Sequence, residues 1–286
     1  MIITDSHLLI INIILFIALG CSGNPADPAS DSGLSVATDD QQIKRHAKTL
    51  SPPLDESLPL QEYIEAGMPA YDRSWAGNDM MRAATALKSL TQAELSHLPR
   101  YQSERSGEMF QRITAKDNLD FYRNQSLPVQ QRLPDVILYG QGNQQILLLY
   151  RNAFQGNAVA DSEVVELMGG QLRLQVVLLG LMNEFLPTLD ENDPTYPARL
   201  AGVKQMKNGL ATVVSGCLDT LTESHAFRSS ELKRFISYLG VTLPVIFPDL
   251  PEGSQTETIT RLKVFSKEPS MQFLQPELDK LLTAIQ

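Results

Sequence analysis

The chain has 286 residues, 43% of them hydrophobic and 20% charged, which is enough apolar material to bury a sizeable core. Acidic side chains outnumber Lys and Arg by 33 to 24, for a formal net charge of −9. That balance, with no basic run and no interleaving of aromatic and basic residues, argues against nucleic acid as a partner and against electrostatic docking on anionic lipid.

Residues 8–20, LLIINIILFIALG, form an apolar run of thirteen. This fits the core of a signal peptide and falls short of the ~20 residues a bilayer crossing needs. The run closes on Ala18-Leu19-Gly20-Cys21. Two aliphatic or small residues, a small residue and then a cysteine resemble the lipobox of bacterial lipoproteins. The resemblance covers only this N-terminal segment. It implies cleavage before Cys21, acylation of the Cys21 thiol, and attachment to a lipid bilayer of the bacterial cell envelope with the rest of the chain outside the cytoplasm. The first residues, MIITDSH, depart from the pattern in lacking Lys and Arg and in carrying Asp5. An ordinary signal peptide or membrane anchor that contains a cysteine is the alternative. With Cys21 acylated, Cys217 has no partner in the chain, so stability must come from core burial rather than from a disulfide.

Residues 21–60 are rich in Ser, Asp, Pro and Gly and show no hydrophobic period. Such a composition cannot offset chain entropy and reads as a disordered tether with a root-mean-square span of roughly 30–40 Å. Within it, Lys44-Arg45-His46 reads as solvated charge. A single helical domain is expected over 61–286.

In that domain, Asp79–Leu90 places Met80, Met81, Ala83, Ala84, Leu87 and Leu90 on one helical face. Thr91-x-x-Glu94 has the form of a capping box opening a second short helix that ends before Pro99. Ser106-Gly107 can start another, with Met109, Phe110 and Ile113 inward. Ser126-Leu127-Pro128 reads as a further start with proline in the first turn. Residues 136–150, VILYGQGNQQILLLY, admit two readings. One is a small β-hairpin around GQGN; the other is two helices, the second capped by Asn143, and the helical surroundings favour it. Gly140-x-Gly142 also invites a dinucleotide loop, but Gln145 stands where the third glycine belongs and no βαβ pattern follows.

The stretch Ser162–Leu186 is apolar on most sides, the mark of a helix at the centre of a domain. A polar loop with three prolines follows at 187–197. Its Asp190, Glu191 and Asp193 lack the alternating ligands and the turn glycine of a calcium loop. Residues 198–222 form an amphipathic helix whose Val203, Met206, Leu210, Val213 and Cys217 keep the 3-4 spacing of a coiled-coil seam. Gly202, Gly209 and Gly216 repeat every seven residues beside it, which suggests a neighbouring backbone packed close. Ser230 would cap a helix ending at Gly240, and the prolines of Leu243–Pro248 argue against a long helix there. Two last amphipathic helices are expected at Glu257–Ser266 and Pro276–Ile285. The expected architecture is therefore mainly α: a multi-helix globular domain with the central buried helix 162–186 packed on 198–222.

Chemistry is sparse. The four histidines stand apart, without metal-ligand spacing. Ser230-Glu-Leu-Lys233 matches SxxK, but its companion elements are missing, and neither GxSxG nor a phosphate-binding loop occurs. Cys217 sits on an apolar seam, where a thiol behaves as a small hydrophobe. Tyr71, Asp72, Arg73 and Trp75 read as an aromatic staple at a helix start. No cofactor and no metal is expected. One polar stripe remains, on the central helix. At about 100° per residue, Glu166, Gly170, Arg173, Val177, Gly180 and Glu184 share a sector roughly 80° wide. Glu166, Arg173 and Glu184 are the candidate ligand-pocket residues; a solvent-facing stripe or a charged seam beside another helix is the plainer reading. The functional expectation is an envelope lipoprotein acting as a binding or scaffold module for a protein partner. The alternative is an enzyme, hydrolase-type or other, with site residues converging from separate helices.

Overall fold

The computed structural model describes residues 60–93, 97–123, 127–153, 160–224 and 227–286. The expected leader, Cys21 and the tether to Pro59 lie outside these, as do His7, His46, Glu94, Ser126 and His225. The described backbone is helical, with no strand among the described residues. In chain order the helices are α1 (Leu60–Glu65), α2 (Gly77–Ala93), α3 (Gly107–Ile113), α4 (Lys116–Asp120) and α5 (Val129–Ala153). They continue with α6 (Asp161–Phe185), α7 (Tyr196–Thr222), α8 (Ser229–Ile246), α9 (Glu252–Phe265) and α10 (Gln275–Ile285).

Helix α6 is the centre. Val165, Leu167, Leu172, Leu174, Leu179, Leu181 and Met182 are all buried, as its all-round apolar pattern requires. By length and composition Asp161–Thr188 could cross a membrane, but 72% of its apolar window is buried inside the protein. It is walled by α5 on one side and α8 on another, with α2 beyond α5 and α10 beyond α8. The expected partner, α7, does touch α6, but α5 and α8 are its broader neighbours, and α7 leans on α9 as well. One apolar cluster runs from Tyr63 to Ile285.

Several local expectations are met for the stated reasons. Met80, Ala83, Ala84 and Leu87 of α2 point inward, and so do Met109, Phe110 and Ile113 of α3. On α7 the seam residues Val203, Met206, Leu210 and Cys217 are buried, with Val214 in place of the half-buried Val213. Trp75 is fully buried, donating Nε1–H to the Ala70 carbonyl at 2.6 Å. Its backbone N–H donates to Asn118 Oδ1 at 2.7 Å, so this aromatic pins the approach to α2 onto α4.

Three expectations fail. The first is Thr91, which opens no new helix but continues α2, its hydroxyl donating to the Lys88 carbonyl at 2.8 Å. The second is the segment 136–150. It is neither a hairpin nor two helices but part of the single helix α5, and Asn143 lies buried within it, donating Nδ2–H to the Leu167 carbonyl at 3.4 Å. The glycines that suggested a turn serve close helix crossings instead. A Cβ on Gly142 would lie 2.7 Å from the carbonyl carbon of Met80 on α2, and one on Gly140 would lie 2.8 Å from Leu174 Cδ2 on α6. At the head of α2, Gly77 makes the same crossing with α5: its N–H donates to both Asp135 carboxylate oxygens at 3.2 Å. An acid facing a helix N-terminus meets the positive end of the helix dipole.

The third is α8. It does not stop at Gly240 but runs through Pro244 to Ile246, and it starts at Ser229 with Arg228, not Ser230, in the N-cap position. A proline inside a helix removes one hydrogen bond and crowds the carbonyl four residues back, at a cost of about 3 kcal/mol. Here that carbonyl belongs to Gly240, on the exposed side where water can reach it. Leu239, Leu243 and Ile246 are fully buried on the other side, and each such side chain contributes roughly 1.5–3 kcal/mol. Burial outweighs the proline. Along the glycine line of α7, Gly209 is buried and Gly216 half-buried, but a Cβ on Gly202 would meet nothing within 4 Å, so no backbone is packed close there.

Candidate functional site

The first half of α6 buries three acids, Asp161, Glu163 and Glu166. Acids suit the first turn of a helix. At this depth, however, each carboxylate also needs a direct partner, because an unpaired buried charge is costly. Asp161 and Glu163 find theirs on other segments and Glu166 finds its own further along α6.

Asp161 is gripped by Arg228, just before α8. The Arg228 backbone N–H donates to Oδ2 at 2.9 Å, Nε donates at 2.8 Å and Nη2 donates to Oδ1 at 2.5 Å. Arg228 Nη2 also donates to Ser162 Oγ at 2.7 Å. Glu163 Oε1 accepts from Arg100 Nε at 2.9 Å and from the Tyr101 backbone N–H at 2.8 Å, which fastens the segment before α3 onto α6. Arg234 of α8 lies over the Tyr101 ring at 4.6 Å, donates to the Ser162 carbonyl at 2.6 Å and pairs with Glu231 at 2.7 Å.

Glu166 joins Arg173, two turns along the same helix. Arg173 Nη2 donates to Glu166 Oε1 at 3.3 Å and to the Thr114 carbonyl, at the end of α3, at 3.4 Å. Tyr238 of α8 donates its hydroxyl proton to Glu166 Oε2, and the Arg173 guanidinium stands 5.4 Å from the centre of its ring. Gly169 makes room for that ring, since a Cβ there would fall 2.5 Å from two of its carbons. Arg173 is thus a bracket between α3, α6 and α8. Burial, followed by the hydrogen bond and charge of Glu166, pushes the Tyr238 hydroxyl up to about 12. It remains a proton donor near neutral pH.

Of the three candidate residues, Glu166 and Arg173 meet and Glu184 does not. Eleven residues beyond Arg173 at 1.5 Å each, Glu184 sits roughly 16 Å further along the axis. It pairs instead with Arg132 of α5. The stripe between them changes character along its length: Glu166 is buried, Gly170 and Arg173 half-buried, Val177 buried, and Gly180 and Glu184 exposed.

What this arrangement can do is constrained by its charge balance. Arg100, Arg173, Arg228 and Arg234 face Asp161, Glu163, Glu166 and Glu231, an ion pair for every charge. Among these described groups the cations and acids are equal in number. If Arg173 is such a bracket, Arg173→Met should lower the unfolding free energy by about 2–3 kcal/mol, somewhat below the cost of breaking a fully buried pair. In a double-mutant cycle with Glu166→Gln the two losses should fall short of adding, by roughly 1 kcal/mol. Strict additivity in urea titrations would show that the two side chains act independently.

The Asp161 clasp gives the fold a pH dependence of known sign. Burial raises the Asp161 carboxyl, but the hydrogen bonds and charge of Arg228 outweigh it and leave the pKa below its ordinary value. A carboxyl depressed on folding contributes stability that is present above its unfolded pKa, ~3.9, and is lost as pH falls through the folded value. Wild type should therefore lose stability more steeply than Asp161→Asn below about pH 4. Parallel stability–pH curves would remove Asp161 from the account.

Sequence reasoning missed Asp161, Glu163, Tyr238 and all the partner arginines except Arg173. The legible signal was the acid cluster in SEVVE (162–166) at the head of an otherwise apolar stretch. Among the described residues, the α6 cluster included, no group of three or more His, Cys, Asp or Glu is placed to hold a metal. Ser230 and Lys233 of the SxxK match are both exposed on the first turn of α8. In comparisons with known proteins the chain matches no family model, no curated protein and no solved structure.

Proposed function

We propose that this chain is a bacterial envelope lipoprotein, held to a membrane by an acylated Cys21, whose helical domain serves as a binding or scaffold module for an envelope protein partner. The anchoring half rests on the thirteen-residue apolar run that ends at Ala18-Leu19-Gly20-Cys21. The observation that carries the binding half is the pairing on α6 and its neighbours. The charged groups most suited to chemistry are spent on one another, bracketing α3, α6 and α8. Such a use supports a rigid scaffold over a reacting centre.

Cys217 makes the anchoring test clean. It is buried on α7, and burial pushes its thiol up to about 12, which makes it a poor competitor for acylation. Metabolic labelling with a fatty acid should mark the wild type and leave Cys21→Ser unmarked. Equal labelling of the two proteins would overturn the assignment. The partner is tested by cross-linking intact envelopes and purifying the lipoprotein. One discrete, stoichiometric companion, lost in Cys21→Ser, supports the module reading; recovery of the lipoprotein alone counts against it.

A further inference from the structure

We draw no further inference here: the strongest candidate, the uncharged exposed stripe of Ser237, Gly240, Val241 and Val245 along α8, continued by Pro248 just past its end, is an unpartnered face with nothing in the structure to show what covers it.

Discussion

Gly142→Leu is expected to lower the unfolding free energy by about 3 kcal/mol or more, the upper end of what overpacking costs. The reason is the nature of the obstacle. A Cβ at position 142 would lie 2.7 Å from the carbonyl carbon of Met80 and 2.8 Å from its oxygen. These are backbone atoms of α2, so no rotamer change can move them aside. To admit any side chain, α2 and α5 must separate, and Gly77 would lose its grip on Asp135 at the same crossing. Even Gly142→Ala should destabilise, against the ordinary trend in which alanine improves a helix interior by up to ~1 kcal/mol. Gly202→Ala supplies the contrast, because a Cβ there meets nothing within 4 Å and should show the ordinary gain. Thermal and urea unfolding followed by circular dichroism would rank the three. If Gly142→Ala stabilises as Gly202→Ala does, the two helices do not cross as closely as described.

Arg132→Met is the second large effect, at about 3–5 kcal/mol, the range for breaking a buried charged pair. Arg132 is only 2% exposed, the most deeply buried cation described. Its Nε donates to the Leu127 carbonyl at 2.8 Å and its Nη1 to the Tyr122 carbonyl at 2.9 Å. Its Nη2 donates to Glu184 at the last turn of α6. Methionine matches the length of the stem but supplies no donor, and the buried Tyr122 carbonyl and the half-buried Leu127 carbonyl lose their partner. Glu184→Gln should cost far less, about 1 kcal/mol, because the Glu184 side chain is 40% exposed and the amide oxygen can still accept. Urea midpoints of the two variants give the comparison. Equal losses would mean that the ion pair, rather than the carbonyl contacts, sets the role of Arg132; no loss in Arg132→Met would remove that role altogether.

These two residues also show where reading the sequence stops. Burial of α6 was legible because a run apolar on nearly every side has no stable place except between other elements. The seam of α7 and the inward face of α2 were legible for a related reason: helical period fixes which side chains share a direction. The start of α3 at Ser106-Gly107 needed only local backbone chemistry. Each of these depends on residues close together in the chain.

The rest depended on what stands opposite. Gly140 and Gly142 carry the same local signal whether they turn a hairpin or admit a neighbouring helix. Only the positions of Met80 and Leu174 decide between these. Pro244 argued correctly that a helix there is costly, but the burial of Leu239, Leu243 and Ile246 offsets that cost through contacts far away in sequence. For the candidate site, the helical wheel placed Glu166, Arg173 and Glu184 in one sector but was blind to distance along the axis and to the neighbours. It could not tell that Tyr238 and Thr114 would complete the Glu166–Arg173 bracket, that Arg132 would take Glu184, or that Asp161 would be held by Arg228, 67 residues away. Periodicity determines direction within one helix, so the sequence by itself determined the helical class and the apolar faces of α2, α6 and α7, while several helix limits were set elsewhere. Partners across the core follow from how those faces pack together, and only the tertiary structure decided them.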